Sequence, residues 1–119
     1  LQVTSGAQET AAALEAMKPF AALYMGGMGA KDMNFHKQVF ERMGYADVAA
    51  QVQELYLAGR KDEAAAAVPD ELVDDLHIVG EPGKVRERVA AWEESGVTTL
   101  LLSCRTPGEV RRVAQVVLG

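Results

Sequence analysis

The chain contains little cysteine and little histidine. Cys104 is the single cysteine among 119 residues, and the two histidines, His36 and His77, lie far apart in the sequence. One thiol excludes an internal disulfide framework and fits a reducing compartment, from which we expect a cytoplasmic protein. No spacing of cysteine and histidine resembles a zinc site, so we expect no bound metal.

Long apolar runs and clusters of basic residues are also missing. The uninterrupted apolar stretches are a handful of residues long, whereas a helix that crosses a bilayer needs about 20. The 17 acidic residues outnumber the 12 basic ones and give a net charge of −5. Because nucleic acids and anionic membranes attract clustered Lys and Arg, we expect neither as a partner.

What the chain does contain is typical of one ordinary globular domain. Hydrophobic residues make up 49% and charged residues 24% of a length that has room for a single modest core. The 19 alanines favour helix, and the few aromatic residues predict a core built mainly from Leu, Val, Met and Ala. Residue 1 is Leu, and Leu1–Thr4 has the pattern of a strand already begun. We therefore expect a part of a longer protein.

Residues 1–76 predict mainly helices. Ser5–Gln8 has the S-x-x-Q form of a capping box and predicts the start of the first helix. Pro19 predicts a kink in that helix or a division into two abutting helices, and the glycines of Gly26–Gly29 predict its end. Asn34 is expected to cap a short amphipathic helix over Phe35–Met43. A second amphipathic helix is expected over Asp47–Tyr56.

Residues 77–119 predict the order strand, helix, strand, helix. His77–Gly80 is a short strand-like run, and Pro82 opens a helix that should turn Val85, Val89 and Trp92 inward. Val97–Leu102 is β-branched and then wholly apolar, which is typical of a strand that is buried on both faces. Thr106–Glu109 combines an N-cap, a first-turn Pro and a capping Glu, and the helix after it should turn Val110, Val113 and Val117 inward.

Short connections between these elements indicate a βαβα unit of a parallel sheet. Two clear strands and one weak candidate, Leu1–Thr4, cannot close a barrel of alternating strands and helices, which takes about 250 residues. The pattern therefore predicts an incomplete α/β domain.

Most of the conspicuous residues favour a structural role. The cluster Gly26–Gly29 follows a helical pattern rather than a strand, which favours a helix end with tight packing over a phosphate-binding loop. Glu81 would repel phosphate, so Gly80–Gly83 is interpreted as a plain turn between strand and helix. His77 is interpreted as structural rather than as a general base, and His36 is expected to face solvent.

Ser103, Cys104 and Arg105 form the best functional candidate. They follow the expected strand Val97–Leu102, and ligands of parallel α/β folds gather beyond the carboxyl ends of the strands. The Arg105 guanidinium would suit a phosphate or a carboxylate. An alternative is equally open. In it, Arg105 is a solvated loop residue and Cys104 is a small buried hydrophobic residue.

Six stretches carry a family resemblance, and together they extend over nearly the whole chain: Pro19–Ala30, Asn34–Phe35, Arg42–Tyr45, Leu55–Asp74, Ile78–Gly80 and Glu94–Leu102. They resemble the luciferase-like monooxygenases, and most closely the branch that uses the deazaflavin coenzyme F420. The middle stretches are more specific to this family than the two ends of the chain, whose strand–helix pattern is generic.

This resemblance implies a (β/α)8 TIM barrel with insertions, in which a flavin or deazaflavin serves hydride transfer or oxygenation of a small organic substrate. The chain is similar to the carboxyl-terminal portion of such a barrel, mostly helical with two or three short parallel strands. Residues 1–119 then form a single incomplete domain, divided into a helix-rich segment with an insertion (1–76) and a βαβα unit (77–119). Gly26–Gly29 would lie at the end of the barrel away from the chemistry.

The implied cofactor is coenzyme F420, with FMN as the alternative. No catalytic residue is carried over by motif, because much of the pocket of such a family is built by earlier strands. Ser103 and Arg105 are the candidate cofactor-binding residues, at the rim of the site.

Two hypotheses of different classes remain. The first is a carboxyl-terminal fragment of a luciferase-like oxidoreductase that is inactive alone; the second is a stand-alone helical interaction module that binds a partner through Phe35–Met43 and Asp47–Tyr56. An uncovered strand at Val97–Leu102 would also favour a homo-oligomer.

Overall fold

The computed structural model describes all 119 residues. The chain forms two compact units, one made of Leu1–Leu14 with Asp74–Gly119 and the other of Glu15–Val73. No helix is long and apolar enough to cross a membrane. The elements in chain order are β1 (Gln2–Val3), α1 (Ala7–Ala22), α2 (Phe35–Phe40), α3 (Ala46–Leu57), α4 (Lys61–Ala66), α5 (Asp70–Leu76), β2 (Val79–Gly80), α6 (Pro82–Glu94) and α7 (Pro107–Val117), with π-helical turns at Leu23–Gly27 and Glu41–Tyr45.

The first unit is organised by a two-stranded parallel sheet. Gln2 of β1 pairs with Val79 of β2, and the backbone N–H groups of Gln2 and Thr4 donate to the carbonyls of Ile78 and Gly80, both over 2.8 Å. Both short strands that the sequence predicts at these positions are confirmed, as is their parallel direction. The division of the chain into segments 1–76 and 77–119 of one incomplete domain stays a prediction.

Valine supplies most of the core of this unit. Its buried cluster packs residues in or next to the two strands against α6 and α7. The members of this cluster are Val3, Ile78, Val85, Val89, Val113 and Val116. Two residues expected to point inward do not: Trp92 is 43% and Val110 52% exposed. Strands of two residues are about 7 Å long, whereas α6 is about 20 Å long. The small sheet therefore covers only part of each helix, and these two side chains remain outside the contact.

The predicted strand Val97–Leu102 is wrong for this structure. The segment has irregular backbone, and its side chains are exposed, with Leu101 96% accessible. Residues 98–102 make no backbone hydrogen bond. A strand exists only through hydrogen bonds to a neighbouring strand, and the sheet in this chain contains only β1 and β2. The apolar sequence favours a strand, but the chain places no partner beside it.

Two of the three predicted helix caps are confirmed. The Thr106 hydroxyl accepts a hydrogen bond from the Glu109 N–H over 3.2 Å, and Asn34 Oδ1 accepts from the Lys37 N–H over 3.0 Å. The capping box at Ser5–Gln8 is wrong. Because α1 begins at Ala7, the acceptor one turn later is Glu9, and Ser5 donates both its N–H (2.7 Å) and its hydroxyl to Glu9 Oε2.

α1 continues through Pro19 to Ala22, so of the two alternatives at Pro19 the division into two abutting helices is wrong, and the kink stays a prediction. The glycine cluster ends the helix through the π-helical turn and packs closely, as predicted. A Cβ on Gly26 would lie 2.3 Å from Tyr56 Cβ. The loop that follows is held by Asn34 Nδ2, which donates to the Met25 carbonyl over 2.7 Å, and by Gln53 Nε2, which donates to the Lys31 carbonyl over 3.1 Å.

An ion-pair cluster joins α1 to α5 within the second unit. Lys18 Nζ lies 2.7 Å from Glu15 Oε2 and 2.8 Å from Asp70 Oδ1, and the Lys18 side chain is only 12% exposed. Hydrogen bonds to Asp70 and then to Glu15 raise the pKa of Lys18. The largest fully buried side chains of this unit are Met25, Val52, Val68, Leu72 and Val73.

We expect Gly26→Ala to lower the free energy of unfolding by about 1–3 kcal/mol, because the new methyl group would meet the Tyr56 Cβ. Gly83→Ala is the control: a Cβ there meets nothing within 4 Å, and the change should be neutral or stabilising by less than about 1 kcal/mol. Urea unfolding followed by circular dichroism measures both. Equal stability of Gly26→Ala and the wild type would contradict the close packing.

Candidate functional site

The carboxyl ends of β1 and β2 meet at one edge of the parallel sheet. In α/β folds this edge is where ligands bind. The structure has a surface depression of about 470 Å³ just beyond β1, open to solvent and lined by Ser5, Gly6, Ala7, Gln8, Glu9 and Ala12. Sequence reasoning did not single out this place. The signal that would have found it is the short polar turn Thr4–Gly6 between a strand and a helix.

Glu9 is the central charged group of this depression. Its carboxylate accepts the Ser5 N–H and hydroxyl and lies 3.3 Å from Arg112 Nη1, which reaches it from α7. The hydrogen bonds from Ser5, with a smaller contribution from Arg112, lower the pKa of Glu9. A carboxylate therefore occupies the first turn of α1, where a helix would otherwise attract an external anion.

The hydroxyl groups of Thr4 and Thr10 contact each other in the same turn. Thr4, 2% exposed, lies directly after β1, and its Oγ1 is 2.7 Å from Thr10 Oγ1. The Thr10 hydroxyl donates to the Gly6 carbonyl over 3.0 Å. Each hydroxyl carries one proton, so Thr4 is the donor in the contact with Thr10. These two hydrogen bonds fix the turn between β1 and α1 and leave Ser5 at the surface.

Ser103 and Arg105 lie at the start of α7, apart from the depression. Ser103 is exposed, and the Arg105 side chain is 83% exposed. The Arg105 N–H donates to Glu109 Oε2 over 2.6 Å, while its Nε stays 3.9 Å from the other carboxylate oxygen. Cys104 is half-buried and packs against the valine core, which fits its interpretation as a small hydrophobic residue. The strand end from which the site was inferred is not formed here, so the rim role of Ser103 and Arg105 stays a prediction.

The turn between β2 and α6 is the plain connection expected from its sequence. Glu81 precedes Pro82 as the N-cap of α6 and makes no side-chain cap. Lys84 Nζ lies 2.6 Å from Asp74 Oδ1, which satisfies the basic group nearest to this helix end.

Both histidines are partly covered by their neighbours. The expectation that His36 faces solvent is wrong: it is half-buried, with its ring edge-on to Tyr24 at 4.7 Å and to Phe35 at 5.6 Å. His77 is half-buried, and its backbone N–H donates to the Asp74 carbonyl over 3.4 Å. No group of His, Cys, Asp and Glu residues has an arrangement that could hold a metal ion.

Comparison with known proteins finds a family model and a curated protein that match this chain. The model of the luciferase-like monooxygenase family matches residues 2–99. A protein of Mycobacterium tuberculosis (strain ATCC 25618 / H37Rv), whose name describes a coenzyme F420-dependent oxidoreductase, is 50% identical over 109 residues. The match covers 92% of this chain and 31% of that protein, so the chain spans about a third of the relative's length. No solved structure matches the chain significantly.

The geometry at Glu9 predicts an acid-sensitive helix start. A carboxylate whose pKa is lowered by folding stabilises the folded state above its unfolded pKa, about 4.5, and this contribution is lost as the pH falls through the lower folded value. We expect Glu9→Gln to be less stable than the wild type near pH 7, and the difference to shrink at acidic pH. The unfolding midpoints of the variant and the wild type, compared from pH 7 to acidic pH, measure this difference in stability.

Glu87→Gln is the control for Glu9→Gln, because it removes an exposed carboxylate from α6 that has no hydrogen-bond partner. Its stability relative to the wild type should not follow the same pH dependence. If both variants behave alike, the contacts of Glu9 with Ser5 and Arg112 do not contribute to stability.

Proposed function

Because the chain belongs to the luciferase-like monooxygenase family, whose model matches residues 2–99, we propose that it is the carboxyl-terminal part of a coenzyme F420-dependent oxidoreductase. Such an enzyme transfers hydride to or from a small organic substrate, or oxygenates it, with FMN as the alternative cofactor. The observation that carries the choice of F420 is the 50% identity, over 92% of this chain, to a relative whose name includes that coenzyme.

The parallel sheet supports a place in a (β/α)8 barrel. β1 and β2 are adjacent and parallel, and each is followed by a helix, as in consecutive units of such a barrel. In this proposal Val97–Leu102 is the next strand and α7 the helix after it. The strand forms when the barrel supplies a neighbour, which agrees with its apolar sequence and its lack of partners in this structure.

The residues present do not enclose a tricyclic cofactor. The depression beyond β1 is open and is lined by one turn and the start of a single helix. Cofactor sites bury most of their ligand between several elements, and a barrel builds them from loops after several strands. We therefore propose that residues outside this chain complete the pocket, and that the chain alone is inactive. No chemical step follows from the groups seen here.

Ser103 and Arg105 are proposed as rim residues of that completed site. Both precede α7, and in the proposed barrel they lie just beyond the last strand, at the end where active sites gather. The exposed Arg105 guanidinium is free to turn toward an anionic part of the cofactor or substrate, since its Nε is 3.9 Å from Glu109.

The second candidate function is a helical interaction module. The observation in its favour is that Phe20, Met33 and Phe35 are 57%, 80% and 66% exposed. The rings of Phe20 and Tyr24 contact each other, with centroids 4.6 Å apart and a tilt of 47°, so part of this apolar surface is preorganised. A partner helix would use such a surface. Cofactor binding by the longer protein distinguishes this function from the oxidoreductase.

We expect the 119-residue chain alone to bind neither coenzyme F420 nor FMN in isothermal titration calorimetry, because its site is open on most sides. The longer protein, titrated in parallel, should bind one of them with micromolar or better affinity. Micromolar binding to the short chain would show a complete pocket within it and contradict the fragment. No binding by the longer protein would contradict the oxidoreductase itself.

In the longer protein, we expect Arg105→Ala to raise the KM of the anionic ligand about three- to tenfold, because one exposed charge-assisted hydrogen bond is worth roughly 1 kcal/mol. Arg111→Ala, which changes an exposed arginine on the following helix α7 that has no ion-pair partner, is the control and should leave KM unchanged. Steady-state kinetics measures both. If the two variants have the same KM as the wild type, Arg105 is a solvated loop residue.

A further inference from the structure

The last helix, α7, packs against the first strand, β1. Val113 and Val116 of α7 belong to the same buried cluster as Val3 of β1. Arg112 Nη1 donates to the Val3 carbonyl over 3.3 Å and lies 3.3 Å from Glu9 Oε1. Apolar packing, a hydrogen bond and an ion pair therefore hold α7 on the strand and beside the start of α1.

A barrel would put α7 in another place. Strands follow one another around a (β/α)8 barrel in chain order, so Val97–Leu102 would lie on the side of β2 away from β1. Because neighbouring strands are about 4.8 Å apart, that strand would lie roughly 10 Å from β1. The helix that follows it packs outside this strand and the next one in the ring, with α6 between it and β1. The contacts of Arg112 with Val3 and Glu9 cannot form from there.

We propose that α7 has two alternative docking positions, one on β1 in the chain described here and one on the strand Val97–Leu102 in the longer protein. This inference rests on the barrel of the proposed function. In a barrel the outer ring covers each strand with the helix before it and the helix after it. On β1, α7 therefore takes the place of the helix that precedes β1 in the longer protein, and it leaves when that helix docks.

The apolar face of α7 is only partly used in its position on β1. The sequence places Val110, Val113 and Val117 on one face of the helix, at the spacing i, i+3 and i+7. The residues that are buried instead are Val113 and Val116, each 7% exposed, while Val110 is 52% exposed. A second position that is turned toward Val110 would use the whole face, and we assign this position to the barrel.

The connection between α6 and α7 permits both positions. Residues 98–104 make no backbone hydrogen bond, so a change in their path breaks none. A fully extended chain spans about 3.3 Å per residue, so these seven residues reach roughly 23 Å. This exceeds the distance of about 8–10 Å between the axes of two packed helices. The connection can therefore carry α7 past α6 without unfolding either helix.

Charge reversal tests the position on β1. In the 119-residue chain, Arg112→Glu would face Glu9 and should lower the thermal midpoint by at least about 2 °C more than Arg111→Glu. Arg111 is the matched control because it is exposed on the same helix and has no ion-pair partner. Glu9→Arg should reduce the effect of Arg112→Glu to half or less, as expected of residues in contact. In the longer protein, Arg112→Glu and Arg111→Glu should have equal effects.

Val110→Ala tests the position in the barrel. In the 119-residue chain it shortens a side chain that is 52% exposed, so the midpoint should stay within about 1 °C or rise. In the longer protein the same change removes buried methyl groups and should lower the midpoint by at least about 3 °C. Val113→Ala is the control, because Val113 faces inward in both positions and its truncation should destabilise both proteins.

Three results would overturn the two positions. They are a short chain that Arg112→Glu does not destabilise more than Arg111→Glu, a longer protein that depends on the contact of Arg112 with Glu9 as the short chain does, and a longer protein that Val110→Ala leaves unchanged. All three are measured as stability, whereas the oxidoreductase function is tested by cofactor binding. Either proposal can therefore fail while the other stands.

Discussion

The pairing of β1 with β2 is the contact on which the first unit depends. Two backbone hydrogen bonds, from Gln2 to Ile78 and from Thr4 to Gly80, join parts of the chain that are more than 70 residues apart. This pairing places β1 beside β2, and Val3 then packs among the valines of α6 and α7. Closing so long a loop costs conformational entropy, which the burial of the valine core must offset.

The same pairing decides the chemistry at the sheet edge. With β1 in place, Thr4 is buried and locked to Thr10, Ser5 is turned outward, and Glu9 comes within reach of Arg112. The result is a turn whose polar groups already form hydrogen bonds within the chain, beside an open depression. This arrangement suits one side of a larger pocket better than a complete pocket, which is why we propose the oxidoreductase function for a longer protein.

Prediction from the sequence succeeded where the deciding contacts are local. The caps at Asn34 and Thr106 need only an acceptor oxygen within three residues, and the glycine cluster ends its helix as expected. The family is also readable from the sequence, and the match over residues 2–99 confirms it. The candidate site was the weakest part. Ser103 and Arg105 were placed by a strand that needs a distant partner, and the depression is lined by the turn after β1 and the start of α1, beside which Arg112 of α7 reaches Glu9.

The sequence by itself determined which segments favour helix, which favour strand and which family the chain belongs to. Tertiary structure alone decided that Val97–Leu102 lies exposed and that Trp92 and Val110 are outside the core. The physical reason is the same in each case. Propensity acts within a few residues, whereas strand pairing and burial require a surface supplied from elsewhere in the chain, and a sheet of two short strands supplies too little of it.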